Sequence, residues 1–220
     1  MLWLSDYEAC GVIMNSVAIV ITIGVMINTS LYRKRKRLDD RLYYLMLITC
    51  MIAAVIDGLM YFFLESPIKS KGLAILATFT YSFFIFVFPY LFMLYEDYQC
   101  FKDEKRIKKI AVWLGIPTIL VVICQFAYSG AILLHVDFVI SWDIIAYTII
   151  MLVYVIYLLY LFWRCNKKML LVFLFSIVGL VIINDVSVPC VFTILLCFAH
   201  ICAMNEPFYG KEMGEEETAC

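Results

Sequence analysis

Apolar stretches recur along the chain at about Cys10–Leu31, Leu42–Leu64, Gly72–Tyr95, Ile110–Leu134, Asp143–Trp163, Met169–Asp185 and Val188–Met204. Each approaches the ~20 residues that a helix needs to cross a bilayer, the last two at the short end. The last two require a decision, because "LVIINDVSVPCVFT" (Leu180–Thr193) joins them without a break in composition. A single helix over the 36 residues from Met169 to Met204 would be roughly 54 Å long against a hydrocarbon core of about 30 Å. The pattern therefore predicts two short helices. Asn184 and Asp185 end the first, Ser187 caps the second, and Pro189 falls in its first turn, where a missing N–H costs little. The fold class expected is all-α, a seven-transmembrane-helix bundle.

Composition agrees. Of 220 residues, 65% are hydrophobic and 16% charged, with a mean hydropathy of +0.95, a balance outside the range of soluble domains. Residues 1–9 read as an external N-terminus, 10–205 as the helical bundle and 206–220 as a short tail. The start "MLWLSDYEAC" lacks a basic leader region and does not read as a cleaved signal peptide. The nine cysteines lie mostly inside apolar runs, as at Cys50, Cys124, Cys197 and Cys202. They show no metal-ligand spacing and read as small packing residues rather than a disulfide frame.

Charge gives direction. The connections "YRKRKRLDDR", "EDYQCFKDEKRIKK" and "RCNKK" are basic, while "ESPIKSK", "HVDFVISW" and "NDVS" are not. Fifteen of 17 Lys and Arg residues fall on one side; only Lys69 and Lys71 fall on the other. The positive-inside rule puts the N-terminus outside and the C-terminus in the cytoplasm. Trp3, Trp142 and Trp163 sit at span edges, where interfacial anchors belong.

Polar residues within spans are the informative positions, because they cost free energy in hydrocarbon and turn toward the bundle or a wet cavity. Asn15, Asp57, Gln125 and Asp185 each lie 15 or 16 residues from the basic edge of their span, about 22–24 Å above it. Small or polar residues at helical spacing share their faces: Gly11, Asn15, Ala18 and Thr22; Cys50, Ala53, Ala54, Asp57, Gly58 and Tyr61; Gly115, Thr118, Val122, Gln125 and Ser129. Thr80 and Tyr147 reach a similar depth. Two readings stand. One is close packing with polar groups bonded across helix interfaces. The other is an outward cavity in which Asp57, Glu65, Asp137, Asp143 and Asp185 make an acidic vestibule that favours a cation. The candidate ligand residues are Asp57, Asp185, Asn15, Gln125, Tyr61, Thr80 and Tyr147. His200 reads as a packed, hydrogen-bonded residue, and Pro89 and Pro117 as kinks or hinges. At the other end, Glu96 and Asp97 lie beside the basic loops around Arg37 and Lys108. Exposed ion pairs there, each worth below about 1 kcal/mol, would couple the helix ends.

"RKRKRLDDRLYYLMLITCMIAAVIDGLMYFF" (Arg33–Phe63) resembles the Firmicutes-type seven-span N-terminal sensor modules of bacterial histidine kinases and diguanylate cyclases. The shared features are a basic first loop, an Asp-Arg-Leu-aromatic approach to the second span, and an aspartate in its outer half followed by aromatics. The layout also resembles seven-helix receptors, without their motifs: the inner end of the third span reads Glu96, Asp97, Tyr98 with no arginine. The resemblance implies a bacterial multi-pass plasma-membrane protein that binds a small ligand and relays a change to a cytoplasmic output domain or partner. It departs from those modules after Met204, where only 16 residues follow. The expected partners are the lipid bilayer, a small cationic ligand and that output partner, with a homodimer left open and no nucleic acid. No cofactor is expected; retinal needs a lysine in the last span, which has none. No nucleophile–base pair suggests an enzyme. A small transporter or channel remains the alternative, set back by the apolar inner halves of the third, fifth and sixth spans. For orientation, Ser70→Cys and Ser187→Cys are expected to react with an impermeant thiol reagent from outside, and Asp40→Cys is not; labelling at position 40 in intact cells would reverse the topology.

Overall fold

The computed structural model describes the backbone of residues 6–32, 38–65, 71–133, 141–165, 167–182 and 188–204. Side chains are described for most of these, but not for 6–9, 31–32, 61–79, 81, 82, 85, 125–148, 175–187, 190 or 202–204. The described residues form seven helices: α1 (Asp6–Tyr32), α2 (Leu38–Glu65), α3 (Lys71–Phe101), α4 (Glu104–Leu133), α5 (Ser141–Cys165), α6 (Lys167–Ile182) and α7 (Val188–Met204). Each packs on its neighbours in chain order, and α7 closes the ring against α1 while also reaching α2; α3 reaches across to α5. The last apolar run is two helices, and Pro189 occupies the first turn of α7. The segment 183–187 between them, with Asp185 and Ser187, lies outside the described residues.

Three stretches are long and apolar enough to cross a membrane over their described residues: Cys10–Ser30, Leu38–Met60 and Glu104–Cys124. Together with the apolar helices Ile149–Cys165 and Val191–Ile201, they point to a membrane protein. Burial is arranged accordingly. Ile13, Val17, Val20 and Ile27 on α1, Val112, Trp113, Ile116 and Ile119 on α4, and Leu152, Ile156 and Trp163 on α5 all lie on the outside. In water such belts would be far larger than a soluble monomer exposes; against hydrocarbon they cost nothing.

The centre is aromatic. Phe192 of α7 stacks on Phe88 of α3, with centroids 3.9 Å apart. Phe88 meets Phe92 at 5.9 Å, Phe92 meets Phe162 of α5 at 6.1 Å, and Phe162 meets Phe173 of α6 at 5.2 Å. Four helices are thereby joined through one run of rings, each such pair adding about 0.5–1.5 kcal/mol to its area burial. α3 and α4 both continue as helices through Pro89 and Pro117.

The turn from α3 to α4 is only Lys102 and Asp103. Lys102 is left-handed (φ 51°) and donates its N–H to the Tyr98 carbonyl at 2.8 Å, which ends α3. Asp103 Oδ1 accepts the N–H groups of Lys105 at 2.8 Å and Arg106 at 3.2 Å, which starts α4 as an N-cap should. Cys100 and Cys165, at the ends of α3 and α5, are joined as a disulfide with Cα atoms 5.6 Å apart. This corrects the expectation that the cysteines are packing residues alone; the pairing needs the α3–α5 approach, which sequence spacing does not carry.

A left-handed non-glycine residue costs about 1–2 kcal/mol, partly offset here by the Lys102 ammonium on Gln99. Lys102→Gly should therefore raise the unfolding free energy by about 0.5 kcal/mol, read from denaturation midpoints in detergent; a fall would mean the Gln99 interaction outweighs the backbone strain. Asp40 is 4% exposed, so a cysteine there would be silent from either side, and exposed Lys105 is the informative position for labelling.

Candidate functional site

Asn15 of α1 donates its Nδ2 hydrogen to Asp57 Oδ2 of α2 at 2.8 Å. The two are 1% and 8% exposed, and Gly58 beside Asp57 lets the helices close: a Cβ there would stand 3.8 Å from the Asn15 Cβ. Gly11, Ala18 and Thr22 of α1, with Cys50, Ala53 and Ala54 of α2, are buried on the same faces. The sequence placed Asn15 and Asp57 at one depth, and the structure brings them into direct contact. Thr80 is partly buried on α3. The side chains of Tyr61, Gln125, Tyr147 and Asp185 lie outside the described residues, as does Arg37.

A polar seam runs from this pair along α1, α2 and α7. Thr22 meets Thr193 hydroxyl to hydroxyl at 3.5 Å. Thr193 also meets Cys50 Sγ at 3.4 Å and donates to the Pro189 carbonyl at 2.9 Å. Further toward the basic end, Asn28 Nδ2 and His200 Nε2 are 2.9 Å apart, the His200 ring stacks on Tyr43 at 5.8 Å, and the Tyr43 hydroxyl donates to the Leu196 carbonyl at 2.9 Å. Sequence reasoning weighed the inner halves of the third, fifth and sixth spans and overlooked this one. The signal was present: Asn15, Thr22 and Thr29 recur every seven residues, and all three are at most 1% exposed.

The second cluster lies where α3, α4 and α5 meet at the basic end. Asp97 is fully buried. The Tyr157 hydroxyl of α5 donates to Asp97 Oδ1 at 2.7 Å. Arg106 of α4 donates from Nε to both carboxylate oxygens at 3.2 Å, from Nη2 to Oδ1 at 3.1 Å, and from Nη2 to the Tyr157 hydroxyl at 3.3 Å. The Arg106 guanidinium lies 3.7 Å over the Phe101 ring. Glu96 is 5% exposed, and buried Asp39 at the start of α2 accepts from Gln99 at 3.3 Å. The expected exposed ion pairs at Glu96 and Asp97 are corrected: both carboxylates are buried, and the partner of Asp97 is Arg106 rather than Lys108. The Lys102–Asp103 turn folds α4 back so that Arg106, nine residues on, meets the inward face of α3. Among the described residues, no group of three His, Cys, Asp or Glu side chains is arranged to hold a metal ion.

No family model, characterised protein or solved structure matches the chain. Two of its buried carboxylates, Asp57 near one end of the bundle and Asp97 at the other, are each tied across a helix interface.

Burial changes the magnitude expected at Asp97. Hydrogen bonds to a charged group are worth about 1.5–3 kcal/mol, and deleting a partner strands a charge that water does not reach. Tyr157→Phe and Arg106→Met should each lower the unfolding free energy by about 2 kcal/mol, and the double variant by less than the sum, because both serve one carboxylate. Additive losses below about 0.5 kcal/mol each would return Asp97 to the status of a surface ion pair.

Proposed function

We propose that the chain is a seven-helix membrane sensor with its N-terminus outside. In this reading it binds a small cationic ligand beside Asp57 from the outer side and passes a rearrangement to the cytoplasmic ends of α3, α4 and α5. The observation that carries this reading is the buried Asn15–Asp57 bond across the α1–α2 interface. A carboxylate that accepts from a neutral amide on the facing helix still favours a cation, and no Arg or Lys lies on the described faces around it. The asymmetry of Lys and Arg in the loops supports the orientation, and the apolar outer belts support the seven crossings.

The mechanism follows from competition for one carboxylate. An ammonium group reaching Asp57 takes lone pairs that otherwise accept from Asn15 and weakens the tie between α1 and α2. Those two helices pack on α7 and α3, whose rings join α5 and α6, so a shift at Asp57 is felt by the four-helix aromatic run. Asp97, Arg106 and Tyr157 then hold or release the cytoplasmic ends. A ligand moves this equilibrium only by its difference in affinity for the two arrangements. By resemblance, the output belongs to a cytoplasmic kinase- or cyclase-type partner.

The transport reading keeps one specific support, the seam Thr22–Thr193–Cys50 and Asn28–His200, which gives polar positions toward the basic end. The two readings separate by flux. Purified full-length protein in nanodiscs, titrated with simple primary and quaternary amines at fixed ionic strength, is expected to show a saturable rise in thermal midpoint. Asp57→Asn should weaken that binding at least tenfold (about 1.4 kcal/mol), while proteoliposomes show no amine uptake. Uptake of the same amines would favour transport, and an equal midpoint rise in Asp57→Asn would remove Asp57 from the site.

A further inference from the structure

The Cys100–Cys165 pair is unused by the proposed sensing mechanism, yet it stands beside the Asp97 cluster. Asp97 precedes Cys100 by three residues on α3, and Tyr157 precedes Cys165 by eight on α5, about one and two turns. The disulfide and the Asp97–Tyr157 hydrogen bond thus tie the same two helices at the same end. Cys165 is exposed and Cys100 half-buried, so small reagents can reach the pair. Asp97 is paired with Arg106, and further basic groups stand close: Arg164 adjoins Cys165, Lys102 lies two residues from Cys100 and Lys167 two from Cys165, and the Arg164 and Arg106 guanidiniums lie 5.0 and 3.7 Å from the Phe101 ring. Positive charge favours the thiolate, the reactive form, and draws anionic partners. On the orientation proposed above, the pair faces the cytoplasm, where structural disulfides do not ordinarily persist and those that form are sensing or catalytic.

We propose that Cys100 and Cys165 are a redox-active dithiol that exchanges with small anionic disulfides of the glutathione class and, when oxidised, clamps the basic ends of α3 and α5. The exposed Cys165 thiolate attacks one sulfur of the small disulfide, forming a mixed disulfide and releasing one thiolate. Cys100 then attacks the Cys165 sulfur, closing the protein disulfide and releasing the second. Two electrons pass to the small disulfide, and the two protons leave with the released thiols. Oxidation fixes the helix ends at the 5.6 Å Cα separation; reduction leaves the Asp97–Arg106–Tyr157 cluster to hold them alone. The inference rests on the proposed orientation, which the test reads separately.

The full-length protein in nanodiscs is equilibrated with mixtures of reduced and oxidised glutathione, then differentially alkylated, and the Cys100 and Cys165 peptides are read by mass. Both should change together, passing from one-tenth to nine-tenths oxidised over an about eightyfold change in the ratio of oxidised glutathione to the square of reduced, as one two-electron couple does. Cys100→Ser should accumulate the glutathione mixed disulfide at Cys165, which the native chain does not. A pair that stays oxidised in the most reducing mixture, never closes, or carries stable mixed disulfides in the native chain overturns the proposal. In intact cells a permeant alkylating reagent should label both cysteines and an impermeant one neither. External labelling would overturn the cytoplasmic assignment, and with it glutathione as the couple, even where the nanodisc titration came out as expected.

Discussion

The polar side chains at the described helix interfaces of this bundle are buried. In hydrocarbon each buried donor or acceptor left unmade costs several kcal/mol, so the interfaces are chosen by where polar side chains can meet. Asn15 meets Asp57, Thr22 meets Thr193, and Asn28 meets His200. These contacts set α1 against α2 and α7 at three levels. Small residues at Gly11, Ala18, Ala53 and Ala54 make the approach close enough for short side chains to reach. Apolar attraction cannot do this where lipid is as apolar as leucine.

The rest of the bundle is held differently. α3, α5, α6 and α7 meet through packed rings, from Phe192 to Phe173, and the charged cluster at Asp97 closes one end. One side of the ring is thus polar and small, the other aromatic and bulky. A polar interface can exchange partners at modest cost, whereas a close-packed aromatic one shifts as a unit. In the proposed sensing mechanism, that division lets a local event at Asp57 move a larger body. The disulfide and the Asp97 cluster are two independent restraints on where that body ends.

Much of the architecture was legible in the sequence. The bounds of α7 follow from Pro189 and from the excess length of the last apolar run. The Asn15–Asp57 contact follows from equal depth on two antiparallel helices. Other features depend on information that a linear pattern lacks. Arg106 reads as one of five basic residues in a loop, and only the left-handed Lys102 and the Asp103 cap turn it back onto α3. Tyr157 and Cys165 lie on α5, two connections away from Asp97 and Cys100, so their meeting needs the order of helices around the ring. The α1 side of the seam was spelled out by the seven-residue spacing of Asn15, Thr22 and Thr29 but lost among apolar neighbours, because a lone threonine or asparagine barely changes the mean of its window.

The account stands on coupling between the two carboxylates, which lie near opposite ends of the bundle; along α2, Asp57 is about 28 Å from the helix start at the basic end. The direct measurement is the affinity of the full-length protein for its best-binding amine, compared between the native chain and Tyr157→Phe, a change that touches only the far cluster. Coupling predicts at least a fivefold difference, about 1 kcal/mol. Affinities equal within twofold, with Tyr157→Phe folded and binding, would show that the outer site and the inner cluster act independently and would contradict the sensor account.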